Sequence, residues 1–462
     1  MVTSEALKIE NEILKEENQK LSAEIISLKE EIVILQSKID VQDLKYSNLL
    51  NTKDTNVFDR GMVSKRFEMV TVLFANIHGF QNISVDGENA QSVVDEIDHL
   101  QVAFDAIIER LNIKKVKSIG DSYMCAGGIP KKNRTNPLEI IMAALELQAF
   151  MKDLNAKSGD VNIWDLCIGI HTGPVSATIS GKKKITYELK GDAANIASRI
   201  EAYSKAGQIL ISEMTYEFVR DYFTCDNVGS LPVKYIGAIA MYEVKGFSPV
   251  YSFANSLILP NKEFYIKIGH IRFDDLEDYV LTRLENELPK HLYYHNVKHT
   301  MDVVIGVEVI GTAEKVSEEE MLLLKTAALF HDMGQIVQSK GHEQISCNFA
   351  LDILPNFYYD DIQIQIICDI IMATQLPPNP KDLLQKIICD ADLDYLGRTD
   401  FVPVSDALYE ELYEQNIITD KNEWNKLQIK FITNHQYFTT FAKNNREVNK
   451  QKQIDRIKSL IF

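Results

Sequence analysis

Two stretches hold residues whose types and spacing suit phosphate chemistry. In the first, Lys117-Ser118-Ile119-Gly120-Asp121-Ser122-Tyr123 reads as strand, tight turn, strand. Lys117 is a cation suited to a base edge or a phosphate. Asp121, four residues on, is a hard oxygen ligand at the tip of the turn, of the kind Mg²⁺ prefers. Gly127 and Gly128 allow close backbone approach. Alone, such a stretch is an ordinary surface hairpin with mixed charges. In the second, five of the ten histidines fall between His291 and His342. His295 and His299 are four apart, a spacing that predicts one helical face. His331-Asp332 ends the apolar run Ala327-Ala328-Leu329-Phe330, and Gly341-His342-Glu343 and Asp390-Ala391-Asp392-Leu393-Asp394 follow. A His, a His-Asp pair and a distant Asp, all on predicted helices, form a mixed nitrogen and oxygen set for a divalent transition metal or Mg²⁺. His342-Glu343 is a candidate for a second metal or a phosphate contact, whereas His291 and His435 read as structural.

The elements that must position these residues differ between the two stretches. Around the first, strands at about 67–74 and 164–171 and helices at about 91–111, 137–156 and 192–205 make an α/β pattern. Strand-like sequence at 208–211 and 228–253 completes it. Thr172-Gly173-Pro174 is expected to end the 164–171 strand. From Phe273 onward the pattern is almost all helix. Ser317 with Glu320 is a capping box opening the apolar run Met321 to Phe330. Pro377-Pro378 stops another helix, and the tail from Trp424 is amphipathic. Ahead of both regions, Leu7, Leu14, Leu21, Leu28 and Leu35 recur every seven residues, with Ile25, Ile32, Ile39, Asn11 and Asn18 at the partner positions. Ile at a and Leu at d, with a buried Asn at a, favour a parallel two-stranded coiled coil. The expected organisation is therefore coiled coil 1–50, linker 51–61, α/β domain 62–256, linker 257–271 and helical domain 272–462.

Bulk composition narrows the class. At ~150 residues per domain, 462 residues allow about three units. A net charge of −17, from 49 basic and 66 acidic residues, argues against a nucleic-acid or anionic-membrane partner. Six scattered cysteines without a Cys-x-x-Cys pair suit a reducing compartment. The N-terminus is polar and acidic, unlike a signal peptide, and no apolar run approaches the ~18 residues of a membrane span. The expected location is cytoplasmic.

Four ordered pieces of the α/β region resemble the class III nucleotidyl cyclases. They are Val72-Leu73-Phe74-Ala75-Asn76-Ile77-His78-Gly79-Phe80, the Lys117–Tyr123 stretch, Gly169-Ile170-His171-Thr172-Gly173-Pro174-Val175, and Tyr187-Glu188-Leu189-Lys190-Gly191-Asp192-Ala193-Ala194-Asn195-Ile196-Ala197-Ser198-Arg199. The resemblance implies a ferredoxin-like α/β sandwich that works as a homodimer with two sites across the interface. It implies that the 3′ hydroxyl of a nucleoside triphosphate attacks its own α-phosphate with two Mg²⁺ or Mn²⁺ ions in attendance. By it, Asp121 and position 76 hold metal, and Asn76 stands where the family has an aspartate. Lys117 and Glu188 read the base, which favours ATP over GTP. Asn195 and Arg199 orient the ribose and stabilise the transition state, and Lys245 binds phosphates. Metal ligands come from one subunit, and the base reader, Asn and Arg from the other. The helical region over about 272–440 resembles the HD superfamily of metal-dependent phosphohydrolases. That resemblance implies His299, His331, Asp332 and Asp392 as ligands of a divalent metal, Asp392 being preferred to Asp390 because a leucine follows it. Tyr294-His295-Asn296-Val297-Lys298-His299 also looks like the signature of cyclic nucleotide phosphodiesterases, in which the first histidine, here His295, protonates the leaving oxygen. Together the resemblances imply a cyclic nucleotide enzyme with both activities, or a nucleotide-binding regulator joined to an HD enzyme.

Overall fold

The computed structural model describes residues 63–78, 89–158, 164–180, 186–233 and 237–461. The heptads of 1–50 and the linker 51–61 lie outside the described residues. Among the described residues eight strands form one mixed sheet: β1 (Val63–His78), β2 (Lys114–Ile119), β3 (Ser122–Gly127), β4 (Asp165–Ser180), β5 (Thr186–Lys190), β6 (Ile209–Ser212), β7 (Phe223–Val233) and β8 (Gly237–Phe247). Their order is β2-β3-β1-β4-β6-β8-β7, with β5 paired to β4. β4 and β6 run parallel, whereas β1–β3, β2–β3, β6–β8 and β7–β8 are antiparallel. In β1, Leu73, Ala75 and Ile77 point into the core and alternate with the less buried Phe74 and Asn76, the period of a strand with one apolar face. Helices α1 (Asn89–Arg110) and α2 (Asn136–Ser158) supply Phe104, Ile108, Ile140 and Ile141 to that core. Helix α3 (Asp192–Tyr203) buries Ala193, Ile196, Ala197 and Ile200. A Cβ at Gly169 would lie 2.1 Å from the backbone nitrogen of Glu201, so α3 sits as close to β4 as it does only because residue 169 is glycine.

β4 does not end at Thr172-Gly173-Pro174, as the turn-forming residues suggest, but runs on to Ser180. Thr172 is buried and its hydroxyl shares hydrogen bonds with Thr71 at 2.9 Å and Thr215 at 3.1 Å. Side-chain ties to two neighbouring elements hold the chain extended where local propensity favours a turn. The short helix α4 (Glu213–Val219) carries no periodic signal; it is opened by Ser212, whose hydroxyl accepts from the Thr215 N–H. Among the described residues, 63–65 and 176–189, the latter being the far part of β4 with most of β5, belong to a compact unit separate from the rest.

Helix α5 (Lys262–Glu287) begins within the 257–271 stretch that reads as a linker. Its first turns put Phe264 and Ile268 into the core of the α/β region, and its later turns put Phe273, Leu276, Val280 and Leu284 into the helical core. Phe264 packs edge-on against Phe247, Phe223 and Tyr222. Arg134 pairs with Asp275 and Asp278 of α5 at 2.8 Å, and Arg272 of α5 reaches Glu139 at 3.1 Å while stacking over Tyr358. The helical region continues with α6 (Val297–Glu314), α7 (Glu318–Phe330), α8 (His342–Ile353), α9 (Asp361–Met372), α10 (Leu383–Asp392), α11 (Phe401–Glu414), α12 (Lys421–Asn434), α13 (Thr440–Asn445) and α14 (Glu447–Lys458). The Ser317–Glu320 capping box is formed at the start of α7. The protein is thus an α/β domain of mixed sheet and helices followed by an all-helical region.

Candidate functional site

In the helical region, four segments converge on one cluster. Asn296 caps α6, its side chain accepting from the His299 N–H at 3.1 Å, so His299 sits in the first turn with its ring on the buried face. His295 precedes this cap and is not on the helix, which corrects the one-face reading of the His295/His299 spacing. The asparagine between them stops the helix from starting earlier. His331 and Asp332 form the turn that ends α7, held by Ser346, whose hydroxyl donates to the His331 carbonyl at 2.7 Å. Asp392 is the last residue of α10. The ligand atoms of His299, His331 and Asp392 lie within 4.8 Å of one another. Asp332 Oδ2 is 3.2 Å from His331 Nε2 and 3.4 Å from His299 Nε2, and Asp392 Oδ1 is 3.1 Å from His299 Nε2. Asp390 is elsewhere: fully buried, its carboxylate accepts from the Phe438 and Thr439 N–H groups and the Thr439 hydroxyl, a structural role.

The donor set suits a divalent cation. His331 Nδ1 donates to the Ala328 carbonyl at 2.7 Å, which fixes the tautomer that leaves Nε2 as a ligand. Asp332 Oδ2 is buried without a directed hydrogen bond, as expected of an oxygen shaped for an ion. Burial alone would lower the His331 imidazole, yet the Asp332 and Asp392 carboxylates outweigh it and hold it well above its ordinary range. Burial would likewise raise both carboxylates, and the neighbouring histidines hold them below the usual range. The cluster thus draws positive charge, which protons or a metal ion supply equally. His342 Nε2 lies 3.1 Å from Asp332 Oδ1, and this contact, against the cost of burial, raises His342 to about 9. Glu343 beside it is buried.

A cavity of about 470 Å³ opens beside the cluster. Asp332, Asp392, His295 and His342 are among its polar lining residues, and Leu393, Leu408, Trp424 and Phe431 among its apolar ones. His295 is anchored by a residue that sequence reasoning missed. Glu411 of α11 accepts from the His295 ring Nδ1 at 2.5 Å and from the Tyr294 and His295 N–H groups at 2.9 and 3.1 Å. Glu411 sits in the ordinary acidic pattern Tyr409-Glu410-Glu411-Leu412, and nothing in that pattern separates it from its solvated neighbours.

In the α/β region, the β1–β3 register pairs Asn76 with Ser122, and the Ile77 N–H donates to the Asp121 carbonyl at 3.0 Å. Asn76 and Asp121 therefore stand side by side at the ends of adjacent strands. Gly120, at φ +58° in the left-handed region, makes the tight turn that presents Asp121. The Asn76 Oδ1 is buried with no hydrogen-bond partner among the described residues. Lys117 is opposite Met124, itself opposite Phe74, so Lys117 shares the sheet face of Asn76. Asn195 and Arg199 occupy the exposed side of α3, away from its buried residues. The Lys117, Asn195 and Arg199 side chains make no hydrogen bond or ion pair among the described residues. Lys245, on β8, is exposed and pairs with Glu243 at 2.7 Å. Glu188 is exposed on β5, in the unit that includes 176–189. One copy of the chain thus joins Asn76 to Asp121 and leaves Asn195 and Arg199 facing outward.

Residues 62–246 match the adenylate and guanylate cyclase catalytic domain, and residues 296–394 match the HD domain. The chain therefore carries a class III cyclase catalytic domain joined to an HD domain, both of families that depend on divalent metal ions. Among similar proteins is an adenylate cyclase of Mycobacterium tuberculosis, 31% identical over 188 residues that cover 41% of this chain and 42% of that one. The human atrial natriuretic peptide receptor 2 is 33% identical over 186 residues, 40% of this chain and 18% of the receptor. A solved guanylate cyclase domain from Catenaria anguillulae in complex with GTP is 31% identical, covering 40% of this chain and all of that one, with a TM-score of 0.36. The match thus spans about two fifths of the length of the mycobacterial cyclase. No helix among the described residues is long and apolar enough to cross a membrane.

Proposed function

We propose that this chain both makes and cleaves cyclic nucleotides: the cyclase domain converts ATP, in preference to GTP, into cyclic AMP and pyrophosphate, and the HD domain hydrolyses a phosphodiester. The observation that carries the reading is the convergence of His299, His331, Asp332 and Asp392 beside a cavity that also receives His295. These four residues would hold a divalent metal ion, which when bound supplies an activated water and charge neutralisation. The cavity suits a nucleotide, because its lining offers both charged groups for a phosphate and apolar and aromatic side chains for a base.

In the cyclase domain, Asn76 and Asp121 would hold Mg²⁺ or Mn²⁺, as the orphaned Asn76 Oδ1 supports. The outward-facing Asn195 and Arg199 fit a site completed by a second copy, in which Lys117 and Glu188 read the base and Lys245 meets phosphate. The parallel coiled coil of 1–50 would hold the two copies together. The free cysteines suit the cytoplasm. A second reading is supported by Asn76 alone: a neutral side chain where a carboxylate is expected makes the cyclase domain a nucleotide-binding regulator of the HD enzyme.

The test is to incubate the full chain with ATP or GTP and Mn²⁺ or Mg²⁺ and follow cyclic product over time. Early accumulation followed by loss supports both activities. Phosphodiester cleavage without any cyclic product supports the regulator, and neither activity refutes both readings.

A further inference from the structure

We propose that the two domains are coupled: a divalent ion held at the HD cluster steadies strand β1 of the cyclase domain through α8, Tyr358, Arg272 and Glu139. The inference rests on the reading of that cluster as a metal site. The line of contacts starts at the ligands themselves, because α8 grips the turn that carries His331 and Asp332 at three points. His342 Nε2 meets Asp332 Oδ1 at 3.1 Å. The Ser346 hydroxyl donates to the His331 carbonyl at 2.7 Å and accepts from the Gly334 N–H at 2.8 Å. A Cβ at Gly334 would lie 2.0 Å from the His342 carbonyl oxygen, so the turn and the helix touch backbone to backbone. An ion that draws Asp332 therefore pulls on the first turn of α8. The helix carries that pull over 12 residues, ~18 Å, and one 3₁₀ turn (Leu354–Phe357) joins it to Tyr358.

Tyr358 is where this line reaches α5 and the cyclase domain. The Arg272 guanidinium carbon stands 3.8 Å from the Tyr358 ring centroid, a cation stacked on an aromatic face. Arg272 in turn donates to Glu139 of α2 at 3.1 Å. Glu139 is 1% exposed, and it also accepts from the Thr135 hydroxyl at 2.8 Å and the Asn133 amide at 2.9 Å. A carboxylate buried this deeply depends on its partners. In the same segment, Asn136 Oδ1 accepts from the Thr71 N–H at 3.0 Å and from the Thr71 hydroxyl at 2.6 Å. Thr71 belongs to β1, the strand that carries Asn76. The joint also has a second arrangement within reach. Arg272 Nε, a donor, and Asn133 Oδ1, an acceptor, are buried with no partner among the described residues, although both residues bond Glu139. A small movement of α5 against 133–139 changes which of these groups are paired, and packed interfaces switch between discrete pairings rather than deform smoothly. Coupling of this kind is reciprocal, so a ligand that steadies the cyclase domain tightens the ion at the HD cluster by the same factor.

Hydrogen exchange of the full chain tests the coupling without any assay of activity. Asp121→Asn is introduced so that Mn²⁺ is not drawn to the cyclase site, and exchange is followed in EDTA and in Mn²⁺. Peptides over 297–303 and 328–335 report the cluster, and peptides over 69–77 and 133–139 report the far end. Mn²⁺ is expected to slow exchange at the cluster and, on the order of tenfold, at the far end, within the range that coupling between sites spans. Arg272→Met keeps an apolar stem and removes the guanidinium; it should abolish the slowing at the far end and leave that at the cluster. Tyr358→Leu should do the same from the other side of the joint, whereas Tyr358→Phe should keep the coupling. Arg272→Met combined with Tyr358→Leu should lose no more than either alone. If Arg272→Met does not fold, the two Tyr358 variants decide. Slowing confined to the cluster in the parent chain overturns the coupling and leaves the metal reading standing. Far-end slowing that survives both Arg272→Met and Tyr358→Leu overturns the joint as its route. If Mn²⁺ slows exchange nowhere and no manganese is retained by the chain, the metal reading fails and the coupling falls with it.

Discussion

Replacing Asn76 with Asp tests the cyclase metal site from two sides. In the present fold the Asn76 Oδ1 is buried and unpartnered among the described residues, and the β1–β3 register sets it one residue out of line with Asp121. Near neighbours across two paired strands stand roughly 5–8 Å apart. Two like charges at that distance repel by about 2 kcal/mol at an effective dielectric of 20, and by roughly half that after screening at a turn open to solvent. Without metal, Asn76→Asp should therefore destabilise the cyclase domain by about 1–2 kcal/mol. A divalent ion reverses the sign, because it neutralises both carboxylates. At a hundred times its dissociation constant it returns about 2.7 kcal/mol. The measurement is urea unfolding of wild type and variant in EDTA and across a Mn²⁺ and Mg²⁺ titration. Cyclic nucleotide production is measured in parallel on a His331→Ala background, so that product is not consumed. The variant should be the less stable protein in EDTA and the more metal-stabilised one, with the higher cyclase rate. The wild type should be slow and favour Mn²⁺, since a neutral amide is a weak ligand for Mg²⁺. Equal stability in EDTA together with equal metal response would refute the shared site. Full wild-type activity in Mg²⁺ would show that the amide suffices.

Other outcomes follow from the same structure. His331→Ala should abolish metal binding by the HD domain, read as metal per chain after gel filtration, because it removes a ligand and leaves Asp332 unneutralised. Cutting the chain before Lys262 should destabilise the cyclase domain by about 3–5 kcal/mol through loss of Phe264 alone; a fragment 62–256 as stable as 62–287 would contradict the shared helix. Burial lowers the buried His171 to about 4, so it is neutral in the fold. Its contribution is complete above the unfolded value near 6.5 and is lost as pH falls from there towards 4, by up to ~3 kcal/mol. His171→Asn should flatten that slope in urea titrations at pH 7 and pH 5. Removing residues 1–50 should leave both domains folded but weaken the dimer, and a truncated protein still dimeric at submicromolar concentration would show that the heptads are not the main clamp.

The sequence determined by itself what depends on local order and residue type. The β2–β3 hairpin with Asp121 at its tip and the capping box before α7 are written in short spacings, because strands and caps obey near-neighbour rules, whereas His299, His331, Asp332 and Asp392, spread over three separate segments, are read as one set through the resemblance to the HD superfamily. Where tertiary packing outweighs local preference, the chain alone misleads. Thr172-Gly173-Pro174 reads as a stop, but buried hydroxyls on Thr71 and Thr215 keep β4 extended. His295 and His299 read as one helical face, but Asn296 caps the helix between them. The 257–271 stretch reads as a connector, yet its end is the start of α5, because aromatic side chains of the α/β core offer Phe264 a site that exists only once that core has formed. Glu411 is the extreme case. Its place in sequence is one acid among several on an amphipathic helix, and only the folding of α11 against the 294–295 backbone brings three donors to its carboxylate. Long-range approach of this kind leaves no local pattern, since the partners are separated by more than a hundred residues and their register is set by packing rather than by spacing.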